Sequence, residues 1–202
     1  MACQHPDTCL VIFAKSPLPG KVKTRLIPVL GKEGACQLYK SMAQKIITNL
    51  SSANVCHVHL YIHPVINHGF FKDLQKANEL TMFQQEGKDL GDRMSHAIDV
   101  SLKDHAKVII IGTDCPEYSA DYIEQAIYGL DDKDVVIGPA KDGGYVLIGM
   151  KQPHSHLFTQ IDWGKSTVLD KTLKKIDEIS LHYQLLQALH DIDVPADLKF
   201  HS

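Results

Sequence analysis

No apolar stretch in this chain of 202 residues approaches the ~20 residues that a membrane span requires. Its start, MACQHPDTC, has neither the charged segment nor the long apolar segment of a secretory signal. A cytoplasmic protein with no membrane partner is therefore expected. The five cysteines (Cys3, Cys9, Cys36, Cys56 and Cys115) include no C-x-x-C pair. Zinc-ribbon and disulfide-framework spacings are thus missing, and reduced structural thiols are expected. Basic charge is not in excess either: 21 Lys and Arg stand against 24 Asp and Glu, for a net charge of −3. That argues against nucleic acid as a partner but leaves room for a local basic pocket. No G-x-G-x-x-G follows an apolar run, and Gly20-Lys21 lacks the upstream glycine of a Walker A loop. No repeat, linker or low-complexity tract divides the chain, which predicts one domain over residues 1–202.

What is present is alternation. Thr8–Ala14 (TCLVIFA) is a short apolar run of the kind that forms a buried strand. From Ala35 to Leu50 apolar residues recur with helical spacing. Strand-like and helix-like segments then follow in turn: Val55–Ile62, Phe70–Ala77, Leu80–Phe83, Leu90–Leu102, Val108–Ile111 and a helix capped by Ser119. Val135–Ile137 and Gly143–Met150 lie too close for a crossover and should pair antiparallel. A helix around Val168–Ile176 and a strand over Ile179–Leu186 close the pattern. The pattern predicts an α/β fold with a mostly parallel, mixed sheet.

In such sheets ligands bind beyond the carboxyl ends of the strands, so the residues after each strand are the informative ones. After the first strand, Lys15, Lys21, Lys23 and Arg25 fall within eleven residues that hold no acid. A loop stiffened by Pro17, Pro19 and Gly20 and bearing four cations suits phosphate. After the central strand comes Gly112-Thr113-Asp114-Cys115-Pro116. An acid beyond a buried strand needs a partner, and Mg²⁺ takes one or two carboxylates plus substrate phosphates. The segment EGKDLGDRM sets Gly91 and Arg93 at a helix start, where free N–H groups meet anions. GPAKDGGY offers Asp142 as an acid, Gly143 and Gly144 for close backbone approach, and Tyr145 for an acceptor pocket on the same sheet face as Leu147. Two H-x-H pairs occur, His57 with His59 and His154 with His156. The first shares one face of a strand, but the sequence names no third ligand for a metal there.

FAKSPLPGKVKTRL, GKDLGDRM, GTDCP, GPAKDGGYVLIGM and DWGKSTVL occur in this order. Together they resemble the DUF2064 family, glycosyltransferase-like proteins of the GT-A nucleotide-diphospho-sugar transferase fold. The resemblance runs from about Val11 to Asp197 and implies a single-domain Rossmann-like GT-A fold with helices on both faces of the sheet. It implies that Lys15, Lys21, Lys23, Thr24 and Arg25 hold nucleotide phosphates and that Asp114 holds a divalent metal, Mg²⁺ or Mn²⁺. The closing DIDVPADL is similar to the family's D-I-D-T-x-x-D-L with Val194 for Thr, and offers Asp193 either as a second metal ligand or as an end-of-strand cap. The tryptophan motif reads Trp163-Gly164 where the family often has W-S, and Trp163 joins the expected acceptor side. The expected activity is a metal-dependent transfer of a sugar from a nucleotide sugar to a small acceptor, with Asp142 as the acceptor-side base. The alternatives are a nucleotidylyltransferase that joins an NTP to a phosphorylated acceptor, or a non-catalytic nucleotide-binding module.

Overall fold

A computed structural model describes residues 3–78 and 80–200. Seven strands form one sheet in the order β3-β2-β1-β4-β6-β5-β7. They are β1 (His5–Lys15), β2 (Cys56–His63), β3 (Thr81–Gln84), β4 (Lys107–Ile111), β5 (Val135–Pro139), β6 (Tyr145–Met150) and β7 (Tyr183–Leu185). Every pairing is parallel except those of β6, which runs antiparallel to both β4 and β5. The helices are α1 (Ile27–Ser52), α2 (Gly69–Asn78), α3 (Leu90–Ser101), α4 (Ala120–Asp132) and α5 (Val168–Glu178).

Strand alternation sorts the sheet's core into two main clusters, one on each face, beside a smaller third around Leu26, Ala35, Met42 and Ile192. Leu10, Ile12 and Ala14 of β1 join Ile109 and Ile111 of β4 beneath α1, α2 and α4. Cys9, Val11 and Phe13 join Val108 and Ile110 beneath α3 and α5. Because β1 and β4 bury both faces, they read as continuous apolar runs rather than as alternating ones. Each fully buried Ile or Leu contributes about 1.5–3 kcal/mol by leaving water. Ser119 caps α4 as its sequence position implies, its side chain accepting a hydrogen bond from the Tyr122 amide.

Two elements differ from the sequence expectation. Helix α1 begins eight residues earlier than the apolar stripe predicts, and Gly31 at φ +69° breaks its regularity. The last strand shrinks to Tyr183–Leu185 because residues 179–180 finish the turn after α5, with Ser180 in the left-handed region. No described helix is long and apolar enough to cross a membrane.

Candidate active site

The sheet order places β1 between β2 and β4, so the crevice beyond the carboxyl ends of β1 and β4 is a topological switch point. One buried side chain on α1 ties the two strand ends together. The Tyr39 hydroxyl accepts the Lys15 amide at 2.7 Å and the Thr113 hydroxyl at 3.1 Å. Burial, and then the Asp114 charge, push its phenol well above the ordinary range.

From Lys15 the chain enters the proline-stiffened loop. The Ser16 hydroxyl donates to the Val65 carbonyl and accepts the Val65 amide, anchoring the loop to the segment after β2. Gly20 takes φ +78°, and Lys23 is held in the left-handed region at φ 46°. That conformation is uncommon for a residue with a Cβ and is retained because its side chain is committed. The Lys23 ammonium sits 2.6 Å from Asp114 Oδ1 and donates to the Ile192 carbonyl, with only 2% of the side chain exposed. Arg25, two residues on, meets Asp193 at 2.6 Å on the surface. A surface-facing loop is expected after the first strand, and burial of Lys23 corrects that at one position. Lys21 and Thr24 remain exposed, as does Lys15 at the strand end.

The segment 189–194 closes the other side. The Ile192 amide donates to the Asp114 carbonyl at 2.9 Å, and the Lys141 amide to the Leu189 carbonyl at 3.0 Å. His190 pairs with Glu117 through its Nδ1 and its backbone amide, both at 3.1 Å. A cavity of about 190 Å³ results, lined by Arg25, Lys141, Asp142, His190, Asp191, Asp193, Val194 and Asp197. Asp191 faces into a group of carboxylates. Burial, then the charges of Asp142, Asp193 and Asp114, push its carboxyl up to about 6. Asp191 escaped the sequence reading, since it lies in coil with no periodicity to mark it. The D-I-D spacing was its only signal.

The remaining predicted residues separate into two groups. Arg93 and Lys15 both act on His63 at the end of β2, where burial and their charges hold the imidazole below its ordinary range. Arg93 also donates to the Gly87 carbonyl at 3.2 Å. They form a second cationic spot on the same sheet edge. Gly91, in contrast, is consumed by packing. A Cβ there would lie 2.5 Å from the Phe158 carbonyl oxygen and 3.0 Å from the Trp163 ring. This corrects the expectation in part: the missing Cβ serves to let α3 approach its neighbours, so that side of the glycine is closed to a ligand.

Tyr145 and Trp163 are corrected in the same way. Their rings meet edge-on with centroids 6.3 Å apart, against the second core cluster. Tyr145 was expected beside Leu147, yet Leu147 belongs to the first cluster. The pairing explains this. Gly138 faces Leu147 and Pro139 faces Tyr145, so β6 carries one extra residue there and the bulge turns Tyr145 to the opposite face. Gly143 has the anticipated positive φ, +92°, but the close approach is internal, with a Cβ falling 2.2 Å from the Ser166 carbonyl oxygen. The Gly144 amide donates to Asp142 Oδ1 at 2.9 Å, which orients that exposed carboxylate at the cavity.

The profile of a family described as an uncharacterized protein conserved in bacteria, DUF2064, matches residues 46–165. The chain belongs to the DUF2064 family. Among solved structures it is similar to a protein of Desulfovibrio desulfuricans G20 provisionally named a nucleotide-diphospho-sugar transferase. Identity is 33%, the match covers 94% of this chain and 83% of that one, and the TM-score is 0.85. It is similar in fold to 4-diphosphocytidyl-2C-methyl-D-erythritol synthase from Anaerococcus prevotii DSM 20548, at 11% identity, 96% and 94% coverage and TM-score 0.62. A CMP:2-keto-3-deoxy-manno-octonic acid synthetase complexed with CTP gives 13% identity, 96% coverage of both chains and TM-score 0.59. No curated protein matches the chain. In this DUF2064 protein the single α/β domain with its mixed seven-stranded sheet agrees with the fold that its sequence motifs imply.

Proposed function

We propose that this DUF2064 protein is a metal-dependent transferase that binds a nucleotide sugar at the switch point and passes the sugar to a small acceptor. One observation carries the reading: the buried Lys23 ammonium, pinned between Asp114 and the Ile192 carbonyl at the crevice between β1 and β4. A desolvated cation at that place is worth far more to a diphosphate than a solvated one. The likeness to the Desulfovibrio protein supports the substrate class.

The donor set suits Mg²⁺ or Mn²⁺. Asp114 is half-exposed with one oxygen on Lys23, and Asp191 carries carboxylate charge that its neighbours already disfavour. Two carboxylates completed by phosphate oxygens are the usual arrangement for these hard ions. Bound there, the ion would draw charge from the departing nucleoside diphosphate. Arg25 offers a planar guanidinium at the cavity wall, matched to a second phosphate. Asp142, fixed by the Gly144 amide, is placed to take the proton of an acceptor hydroxyl. Asp193 is engaged by Arg25, so it serves as that residue's positioning partner, and Asp191 replaces it as the second metal ligand. The cavity of about 190 Å³ is small against a typical ligand pocket of ~300–1,000 Å³, which favours a compact acceptor.

Nucleotidylyl transfer is the second reading. It is favoured by the separate cationic spot of Lys15 and Arg93, which would suit a triphosphate or a phosphorylated acceptor. Incubation of the pure protein with Mg²⁺ and each NTP or nucleotide sugar separates the two. Nucleoside diphosphate release supports sugar transfer, and pyrophosphate release supports nucleotidylyl transfer. Binding without turnover leaves a nucleotide-binding module and overturns both.

A further inference from the structure

The opposite, amino-terminal end of the sheet holds a second constellation that the transferase reading does not use. Cys9 on β1, His59 on β2 and His105 just before β4 each offer one ligand atom, and these atoms all lie within 4.8 Å of one another. His57 adjoins them, its ring centroid 5.2 Å from that of His105. The fold brings them together by register: Cys9 lies opposite His57, Val11 opposite His59, and Cys9 beside Val108 at the start of β4. All project to the face of the second core cluster.

The protein leaves these nitrogens unsatisfied. Nδ1 of His59 and Nδ1 of His105 are buried without a hydrogen-bond partner. A buried polar atom in that condition is uncommon and costs stability unless something meets its lone pair. The His59 ring is fixed by Phe83, 5.0 Å away between centroids. His105 is fixed through its amide, which donates to the Ser101 carbonyl at 3.1 Å. The two histidines of β2 also border open space. Strand β3 starts opposite His59, so the earlier part of β2 is uncovered on that side and opens into a cavity of about 430 Å³ lined in part by His57 and His59.

We propose that Cys9, His59 and His105, with His57 as fourth donor, form a binding site for a borderline-soft divalent ion, Zn²⁺ by preference. Imidazole and thiolate donors select Zn²⁺ and its transition-metal neighbours over Mg²⁺ and Ca²⁺, which want oxygen. Binding releases the Cys9 thiol proton to solvent as the Zn–S bond forms. The site lies apart from the nucleotide crevice: His59 and His63 are four residues apart on β2, about 13 Å at strand rise. Its role is therefore to pin β1, β2 and the α3–β4 connection together.

The test uses the full chain, stripped with chelator and titrated with Zn²⁺ by calorimetry, and with Co²⁺ followed by absorption. One tight equivalent is expected, with a near-ultraviolet sulfur-to-cobalt band and a melting temperature raised by Zn²⁺. His105→Asn, which alters a half-buried ring, should weaken Zn²⁺ binding at least tenfold. Cys9→Ser should abolish the sulfur band even where its own stability falls. Twelve histidines make adventitious binding a real outcome. An equivalent that persists unchanged in His105→Asn and in the double variant His57→Gln/His59→Gln, or a cobalt spectrum without a sulfur band, overturns the proposal. Nucleotide turnover is read separately, so failure here is distinguishable from failure of the transferase reading.

Discussion

The two ends of the sheet handle polar chemistry beside an apolar core in opposite ways. At the carboxyl edge the principal polar groups have protein partners: Lys23 pairs with Asp114, Arg25 pairs with Asp193, and His190 hydrogen-bonds Glu117. At the amino edge His59 and His105 each carry a buried nitrogen without a partner. The first arrangement presents paired charges that an anionic ligand and a hard cation can exchange. The second presents lone pairs that only a Lewis acid or a donor can answer. The two ends of this mostly parallel sheet differ because they expose different groups, strand-end loops at one and strand-start side chains at the other.

The largest effect expected is loss of the frame at the carboxyl edge. Gly143→Val combines φ +92° with a Cβ 2.2 Å from the Ser166 carbonyl oxygen. A cost above about 3 kcal/mol is expected, read as a fall in the urea midpoint. Gly144→Ala is the contrast. Its nearest neighbour is Asp142 Oδ1 at 3.2 Å, a side-chain atom able to yield, and its cost should stay below about 1 kcal/mol. Equal midpoints for the two variants would show that the 140–145 turn does not hold the edge together.

Lys23 and Arg25 sharpen the comparison within that edge. Removing a buried cation leaves Asp114 and the Ile192 carbonyl without their partner, so Lys23→Ala should cost about 2–3 kcal/mol. This is below the roughly 3–5 kcal/mol usual for a broken buried pair, because Asp114 is half-exposed. Arg25→Ala removes a surface pair and should change stability by less than about 1 kcal/mol. Both should weaken nucleotide binding by calorimetry. Similar stability losses in the two variants would place Lys23 at the surface, contrary to the structure.

Gly91→Ala comes next. The added Cβ would lie 2.5 Å from the Phe158 carbonyl oxygen, and a cost of about 1–2 kcal/mol is expected from overpacking. Nucleotide affinity should be unchanged, whereas Arg93→Ala should lower it. A Gly91→Ala protein of normal stability and impaired binding would return this glycine to the phosphate site.

Such residues mark how far the sequence is legible. Buried strands announce themselves: TCLVIFA and VIII are β1 and β4 because parallel strands need apolar residues on both faces. That the cations after β1 and Asp114 after β4 share one sheet edge was readable, because topology, not side-chain contact, sets where strands end. The face of Tyr145 was not, since a bulge of one residue reverses alternation and leaves no compositional trace. Gly91 was readable as a helix-start residue but not as a packing one, because the residues its missing Cβ would meet, Phe158 and Trp163, lie far along the chain. Asp191 and the His59–His105 pair depend on contacts across long separations, the latter through register of β1 with both β2 and β4. No periodicity encodes those.

The smallest predicted effect sets the two edges against each other by pH, in nucleotide-free protein stripped of metal. Asp191 rises from 3.8 to about 6, by burial first and then by Asp142, Asp193 and Asp114. The folded state therefore holds that proton more tightly, and stability falls as pH climbs from about 4 to about 6, with the full cost present above. His59 falls from 6.5 to about 4, by burial first and then by His105 and His57, against the opposing charge of Asp104. Here the folded state holds the proton less tightly, so stability falls as pH drops through the same window. Both groups are partly open to solvent, which limits each contribution to about 1 kcal/mol or less. Asp191→Asn should therefore stabilise slightly at pH 7 and make the midpoint fall more steeply on acidification. His59→Leu should flatten the acid limb, and removing an orphaned nitrogen should leave neutral stability equal or higher. Urea midpoints at pH 4.5 and 7 decide it. If both variants shift the acid limb in one direction, the opposition between the two edges is wrong.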